Sequence, residues 1–181
     1  MRVLVCPQEF KGSLTAVEAT DALVAGLQQV LPNAEMDRCP IADGGPGTVE
    51  AIASAANGRY TITDVDGPLG DPVVARWARI PDTTPPAPTS GPRPAVPRRA
   101  HTAVIEMAAA SGLLLVPGDR LDPRRASTYG TGQLLRAALN SGVGRILIGV
   151  GGSATNDGGT GAALALGARF LDDQEESLPL G

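Results

Sequence analysis

The chain is poor in aromatics: two Phe, two Tyr and one Trp, 3% of 181 residues. A platform of aromatic rings for stacking nucleic-acid bases is therefore not expected. Histidine occurs once, at His101, which excludes a His-rich metal site. A Ser-His-Asp triad would have to use that residue, and it opens an apolar, strand-like segment rather than a loop. Positive charge is also in deficit. The net charge is −4 and the sequence pI near 4.9, which argues against a nucleic-acid backbone as partner. No apolar run reaches the roughly 18 residues of a membrane span. The opening run, residues 1–7, is too short for a signal peptide and reads as a first core strand, so the protein is expected in the cytoplasm. Cysteine is limited to Cys6 and Cys39, each at the end of an expected strand. They read as reduced core residues, with a disulfide or redox pair as the alternative. No G-x-x-x-x-G-K-[ST] segment is present, so a Walker A loop is excluded.

What remains is a chain with 43% hydrophobic residues, enough to bury a sizeable core. A strand over 2–6 leads through a loop at 7–13 into a helix over 15–31. That helix has a capping-box start at Thr15 and Glu18 and an apolar face through Val17, Leu23, Val24, Leu27 and Leu31. A second strand over 34–41 ends in Ala42-Asp43-Gly44-Gly45, and a second helix is expected from Pro46 to Ala56. This β-loop-α-β-loop-α order is that of a parallel sheet. Strands over 60–66 and 73–80 follow, joined by a Gly- and Pro-rich turn. The segment 81–99 is loaded with Pro, Thr, Ser and Arg and reads as a disordered surface insertion. Then come a strand over 102–107, a helix over 130–140, a buried strand over 145–150 and a helix over 160–170. The fold class is α/β.

Four segments could carry chemistry. Lys11, the only lysine among fifteen basic residues, sits with Gly12 and Ser13 at the start of the first helix, where an ammonium suits a phosphate or carboxylate. Asp43-Gly44-Gly45 lies at a strand end, where an Asp can hold Mg²⁺ or accept a hydroxyl proton and the glycines admit a ligand to the backbone. Ser127-Thr128-Tyr129-Gly130-Thr131-Gly132 offers hydroxyls and free N–H groups to an anion. The simpler reading of each of these three is a helix cap. The fourth runs from Gly149 to Gly159 and includes Gly151, Gly152, Ser153, Asn156 and Asp157. It follows an apolar strand and precedes a helix, the position where open α/β sheets bind ligands. Gly149-x-Gly151-x-x-Ala154 with Asp172 mimics a dinucleotide fingerprint, but 155–159 lengthens the loop beyond that tight turn. A nicotinamide dehydrogenase is the weaker reading.

Pro7-x-x-Phe10-Lys11-Gly12-Ser13-Leu14, Ala42-Asp43-Gly44-Gly45-x-Gly47-Thr48, Val104-Ile105-Glu106-Met107-Ala108, Thr128-Tyr129-Gly130-Thr131-Gly132 and the Gly151-Gly152-Ser153-Ala154-Thr155-Asn156-Asp157-Gly158-Gly159 segment together resemble the type-1 glycerate kinase family. The resemblance runs in family order over nearly the whole chain. It implies two α/β domains, one Rossmann-like (residues 1–59, incomplete here) and a second mixed α/β domain (60–181), with a ligand cleft between them. It also implies ATP-dependent phosphorylation of D-glycerate with Mg²⁺, at the 2-hydroxyl in preference to the 3-hydroxyl.

On that reading Lys11, Asp43 and Asp157 are the catalytic candidates, the two aspartates also being the candidates for Mg²⁺. Ser13, Gly44, Gly45, Thr128, Thr131, Gly151, Gly152, Ser153 and Asn156 would bind substrate or phosphate. The chain departs from the family pattern at Gln8-Glu9, where Asp-Ser is usual, at Pro46, where Glu is usual, and in the length of 81–99. Family chains run about twice as far, so this one corresponds to the N-terminal half. A separately encoded C-terminal half is an expected partner, and the alternative is a truncated half-enzyme that binds ligand or partner without turnover.

Overall fold

The computed structural model describes residues 1–10, 12–81 and 101–178. Lys11 and nearly all of the expected Pro-rich insertion lie outside the described residues. Pro81 is the exception, and it pairs with His101 in a β-ladder instead of opening the insertion.

The described residues form a mixed α/β structure with two sheets. Strand β1 (Arg2–Val5) pairs in parallel with β2 (Glu35–Arg38), and helix α1 (Ala16–Val30) connects them. The capping box holds as written in the sequence. The Thr15 hydroxyl accepts from the Glu18 N–H at 3.2 Å, and the Glu18 carboxylate accepts from the Thr15 N–H at 2.8 Å. Helix α2 (Thr48–Ala55) starts two residues after Pro46, because Gly47 at φ +89° turns the chain into it.

The second sheet has the order β3 (Arg59–Asp66), β4 (Pro72–Pro81), β5 (His101–Glu106), β6 (Arg145–Gly149). Its first two pairings are antiparallel, and β5 and β6 run parallel. A short helix α3 (Ala108–Ser111) and the longer α4 (Tyr129–Asn140) make the crossover, and α5 (Thr160–Ala165) follows β6.

One face of this sheet packs its core from Val65, Trp77, Ile105, Leu134 and Ala138, all buried. The Trp77 indole N–H donates to the Thr63 hydroxyl at 3.0 Å, so the one tryptophan is satisfied inside. On the other face α2 places Val49 and Ala53 against Ala78 and Val104. Helix α2 thus shares its core with the four-stranded sheet, although the expected boundary at residue 60 separates the two.

Two expectations about burial are corrected. The segment around β6 is an edge strand, not a buried one: Leu147, Ile148 and Val150 are 44%, 41% and 65% exposed. Nor is β1 a core strand throughout, since Val5 is buried but Leu4 is 64% exposed. Helix α5 also ends early. Gly167 adopts φ +103°, a left-handed stop that an L-residue rarely takes, and the Ala168 N–H returns to the Ala163 carbonyl at 2.9 Å.

Candidate functional site

The loops that leave the carboxyl ends of the parallel strands converge. The Ile41 N–H donates to the Pro7 carbonyl at 2.9 Å, which joins the loops after β1 and β2. Gln8 and Glu9 from the first loop, and Asp43 and Pro46 from the second, line one open concavity. Gln8, Glu9 and Pro46 are among the departures from the pattern that the resemblance implies.

The loop after β2 is built on itself. One Asp43 carboxylate oxygen, Oδ1, accepts from the Gly45 N–H at 2.9 Å, and Asp43 is otherwise exposed. It does not cap α2. The Thr48 hydroxyl accepts from the Gly44 N–H at 3.1 Å and donates to the Gly45 carbonyl at 2.7 Å, which closes the turn.

This loop lies directly on the one after β6. The Gly151 N–H donates to the Gly44 carbonyl at 2.8 Å. A Cβ on Gly149 would stand 2.5 Å from the Gly44 carbonyl oxygen, and one on Gly151 would stand 2.7 Å from the Gly45 nitrogen. Glycines that the sequence suggests for ligand approach therefore let two backbones touch. On its other side the same loop is fixed to the end of α3 and the turn after it: the Ala154 N–H donates to the Ser111 carbonyl and the Leu113 N–H to the Gly152 carbonyl. Ser153 is partly buried in this contact, whereas Asn156 is exposed.

Asp157 gathers the third segment. Its Oδ2 accepts from the Thr128 N–H (2.8 Å), the Thr128 hydroxyl (2.9 Å) and the Gly161 N–H (3.2 Å), and Oδ1 accepts from the Gly159 N–H (3.1 Å). Partial burial alone would raise this carboxyl. The Thr128, Gly159 and Gly161 donors outweigh it and hold the group below the usual carboxylate range. Thr128 and Thr131 are buried. The Thr128 hydroxyl also accepts from the Ala162 N–H, and the Thr131 hydroxyl bonds that of Ser111 at 2.8 Å. Glycines 130 and 132 serve packing: a Cβ would strike the Asp66 carbonyl from the first and the Ala162 carbonyl from the second.

At the first segment, the Ser13 hydroxyl is exposed and donates to the Phe10 carbonyl at 3.0 Å, while Thr15 takes the cap. Among the described residues no three His, Cys, Asp or Glu side chains group to hold a metal.

One residue was absent from the expected site. Glu106, at the end of β5, accepts from the Val49 N–H at the first turn of α2 at 2.5 Å. Burial raises its pKa above the ordinary glutamate value, although the Val49 N–H and nearby Arg76 pull the other way. The sequence carries a signal for it: an acid that closes an apolar strand, one residue before a small-residue helix.

The family model of the glycerate kinase family matches residues 3–181. A glycerate kinase of Bacillus subtilis (strain 168) is 45% identical over 181 residues, covering 100% of this chain and 43% of that protein. A glycerate 2-kinase of Escherichia coli (strain K12) is 41% identical with the same coverage. A solved structure described as a glycerate kinase 2 from Salmonella typhimurium LT2 superposes with a TM-score of 0.82 at 42% identity, covering 100% of this chain and 44% of that one. The chain spans less than half the length of these relatives. Matched over nearly all of its residues, the chain belongs to the glycerate kinase family.

Proposed function

We propose that this chain supplies one wall of an ATP-dependent glycerate kinase site, and that the product is 2-phosphoglycerate. Convergence carries the reading: the loop of Asp43, Gly44 and Gly45 meets the 149–152 backbone at the carboxyl ends of parallel strands, and the loop so placed continues to the Asp157 hub, in a chain of this family.

The roles divide by what each side chain has left to offer. Asp43 has Oδ1 engaged by Gly45, and no described residue donates to Oδ2. It is the carboxylate that would accept the glycerate hydroxyl proton or hold Mg²⁺, and Glu9 lines the same concavity. Mg²⁺ sites of this kind use one or two carboxylates together with substrate phosphates, and the ion there neutralises phosphate charge. Asp157 already accepts from Thr128, Gly159 and Gly161 within the protein and acts by positioning. Lys11 would neutralise phosphate or glycerate carboxylate charge, Ser153 and Asn156 would donate hydrogen bonds, and the Ser13 hydroxyl would do so on release from the Phe10 carbonyl. Thr128 and Thr131 shape the loops from within. In-line phosphoryl transfer asks a protein for placement and charge stabilisation, which these loops are suited to give.

A second reading rests on the exposed β6 edge, with Leu147, Ile148 and Val150 open to solvent. In it the chain binds ligand but turns nothing over until a further polypeptide, such as a separately encoded C-terminal half, covers that edge. Calorimetric titration of D-glycerate, and separately of Mg-ATP, into the chain tests the shared part of both readings. Saturable binding that is weakened by Asp43→Ala supports them, and no binding of either ligand overturns them.

A further inference from the structure

We infer that Cys6 and Cys39 form an intramolecular disulfide when the protein meets a peroxide, which makes the root of the two β1/β2 loops a site of reversible oxidation. Register carries this. Val5 and Arg38 are partners in the parallel ladder, and the Cys39 N–H extends it by donating to the Val5 carbonyl at 2.9 Å. Cys6 and Cys39 follow as the next positions of that register, so their side chains leave the ladder on the same face. Neighbouring strands lie about 4.8 Å apart. That falls inside the Cα separation of about 4.4–6.8 Å that a disulfide spans.

The two thiols are not equivalent. Cys39 is exposed and Cys6 partly buried. Burial, and then the facing Cys39 sulfur, raise the Cys6 pKa. Cys39 is therefore the sulfur that meets the oxidant. Its thiolate attacks one peroxide oxygen, the O–O bond breaks, and hydroxide leaves, giving a Cys39 sulfenic acid. The Cys6 sulfur then attacks the Cys39 sulfur, the S–O bond breaks, and the departing oxygen takes the Cys6 proton as water. Two thiols are oxidised and one peroxide is reduced to two waters. The bond would tie the polypeptide just before Pro7 to that just before Pro40, at the root of the loops bearing Gln8, Glu9 and Asp43. The site stands independently of the kinase reading.

The test treats the reduced wild-type chain with hydrogen peroxide, alkylates the remaining thiols, and maps the digested protein by mass spectrometry. The expected result is a monomer in which both thiols are lost together, the Cys6 and Cys39 peptides are cross-linked, and dithiothreitol restores both. In Cys6→Ser the Cys39 sulfenic acid should persist and react with dimedone. Cys39 advancing to sulfinic acid in the wild type while Cys6 stays alkylatable would overturn the inference. So would disulfides found only between two chains.

Discussion

The Asp157 carboxylate accepts both the backbone N–H and the hydroxyl of Thr128, at 2.8 and 2.9 Å, and so locks the loop after β6 to the start of α4. Two segments far apart in sequence become one surface through a single side chain. Hydrogen bonds to a charged group are worth about 1.5–3 kcal/mol each in favourable cases, and leaving their donors unpaired costs about 1–3 kcal/mol. Asp157→Ala should therefore lower the urea-unfolding free energy by more than a typical surface substitution. Asp157→Asn should fall between it and the wild type.

The pH dependence of that lock has a definite sign. The Asp157 pKa is depressed in the folded state, so its contribution is complete above the ordinary aspartate value of 3.8 and is lost as pH falls through the lower, folded value. Unfolding free energies measured from neutral pH downward should drop over that acid window in the wild type. Asp157→Asn should flatten the drop. An unchanged acid profile in the variant would show that the lock contributes nothing.

Glu106 has the opposite sign. Its pKa is raised by burial, so the contribution it makes is full below the ordinary glutamate value of 4.5 and declines as pH rises through the folded value. Glu106→Gln keeps an acceptor for the Val49 N–H without a buried charge, and should be tolerated at neutral pH with a flatter profile above 4.5. Glu106→Ala leaves that N–H unpaired and should cost about 1–3 kcal/mol. Chemical denaturation of the two variants across pH separates the cases.

The glycine contacts give a paired test. Gly151→Ala would bring a methyl to within 2.7 Å of the Gly45 backbone, and overpacking of this kind costs about 1–3 kcal/mol. Gly26, exposed on α1 with nothing within 4 Å of an added Cβ, should accept Ala with a gain of about 0.5–1 kcal/mol. Thermal unfolding of both should move in opposite directions.

Much of this architecture is written locally. The Thr15–Glu18 capping box and the turn residues between β3 and β4 specify their elements without help from the rest of the chain. The convergence of the Gly-rich segments on strand ends also follows from their order. What local pattern cannot express is which partner a residue finds. Gly149 and Gly151 look like ligand-facing glycines, and only the tertiary contact shows that they face Gly44 and Gly45. Thr128 and Thr131 look like anion donors, yet their hydroxyls are used by Asp157, Ala162 and Ser111. The apolar run of β6 does not say whether both its faces are covered, and here they are not. Gly167, by contrast, was a legible stop signal inside the expected 160–170 helix.

Charge placement in the proposed site predicts a kinetic effect. In a complete enzyme containing this chain, Lys11→Ala and Asp43→Ala should each lower kcat by about 10²-fold or more, because in the proposed roles each group would act most strongly in the transition state. Steady-state rates at saturating ATP and D-glycerate measure this. Near-normal turnover in either variant removes that residue from the chemistry.

The most direct measurement is a coupled ADP-release assay with ATP, Mg²⁺ and D-glycerate, run on the chain alone and with a polypeptide supplying the remaining length of the relatives, the product being identified by NMR. The account predicts ADP release in the completed sample, with 2-phosphoglycerate as product and the rate lowered about 10²-fold or more by Asp43→Ala. A folded, completed sample that binds both substrates yet releases no ADP would contradict it.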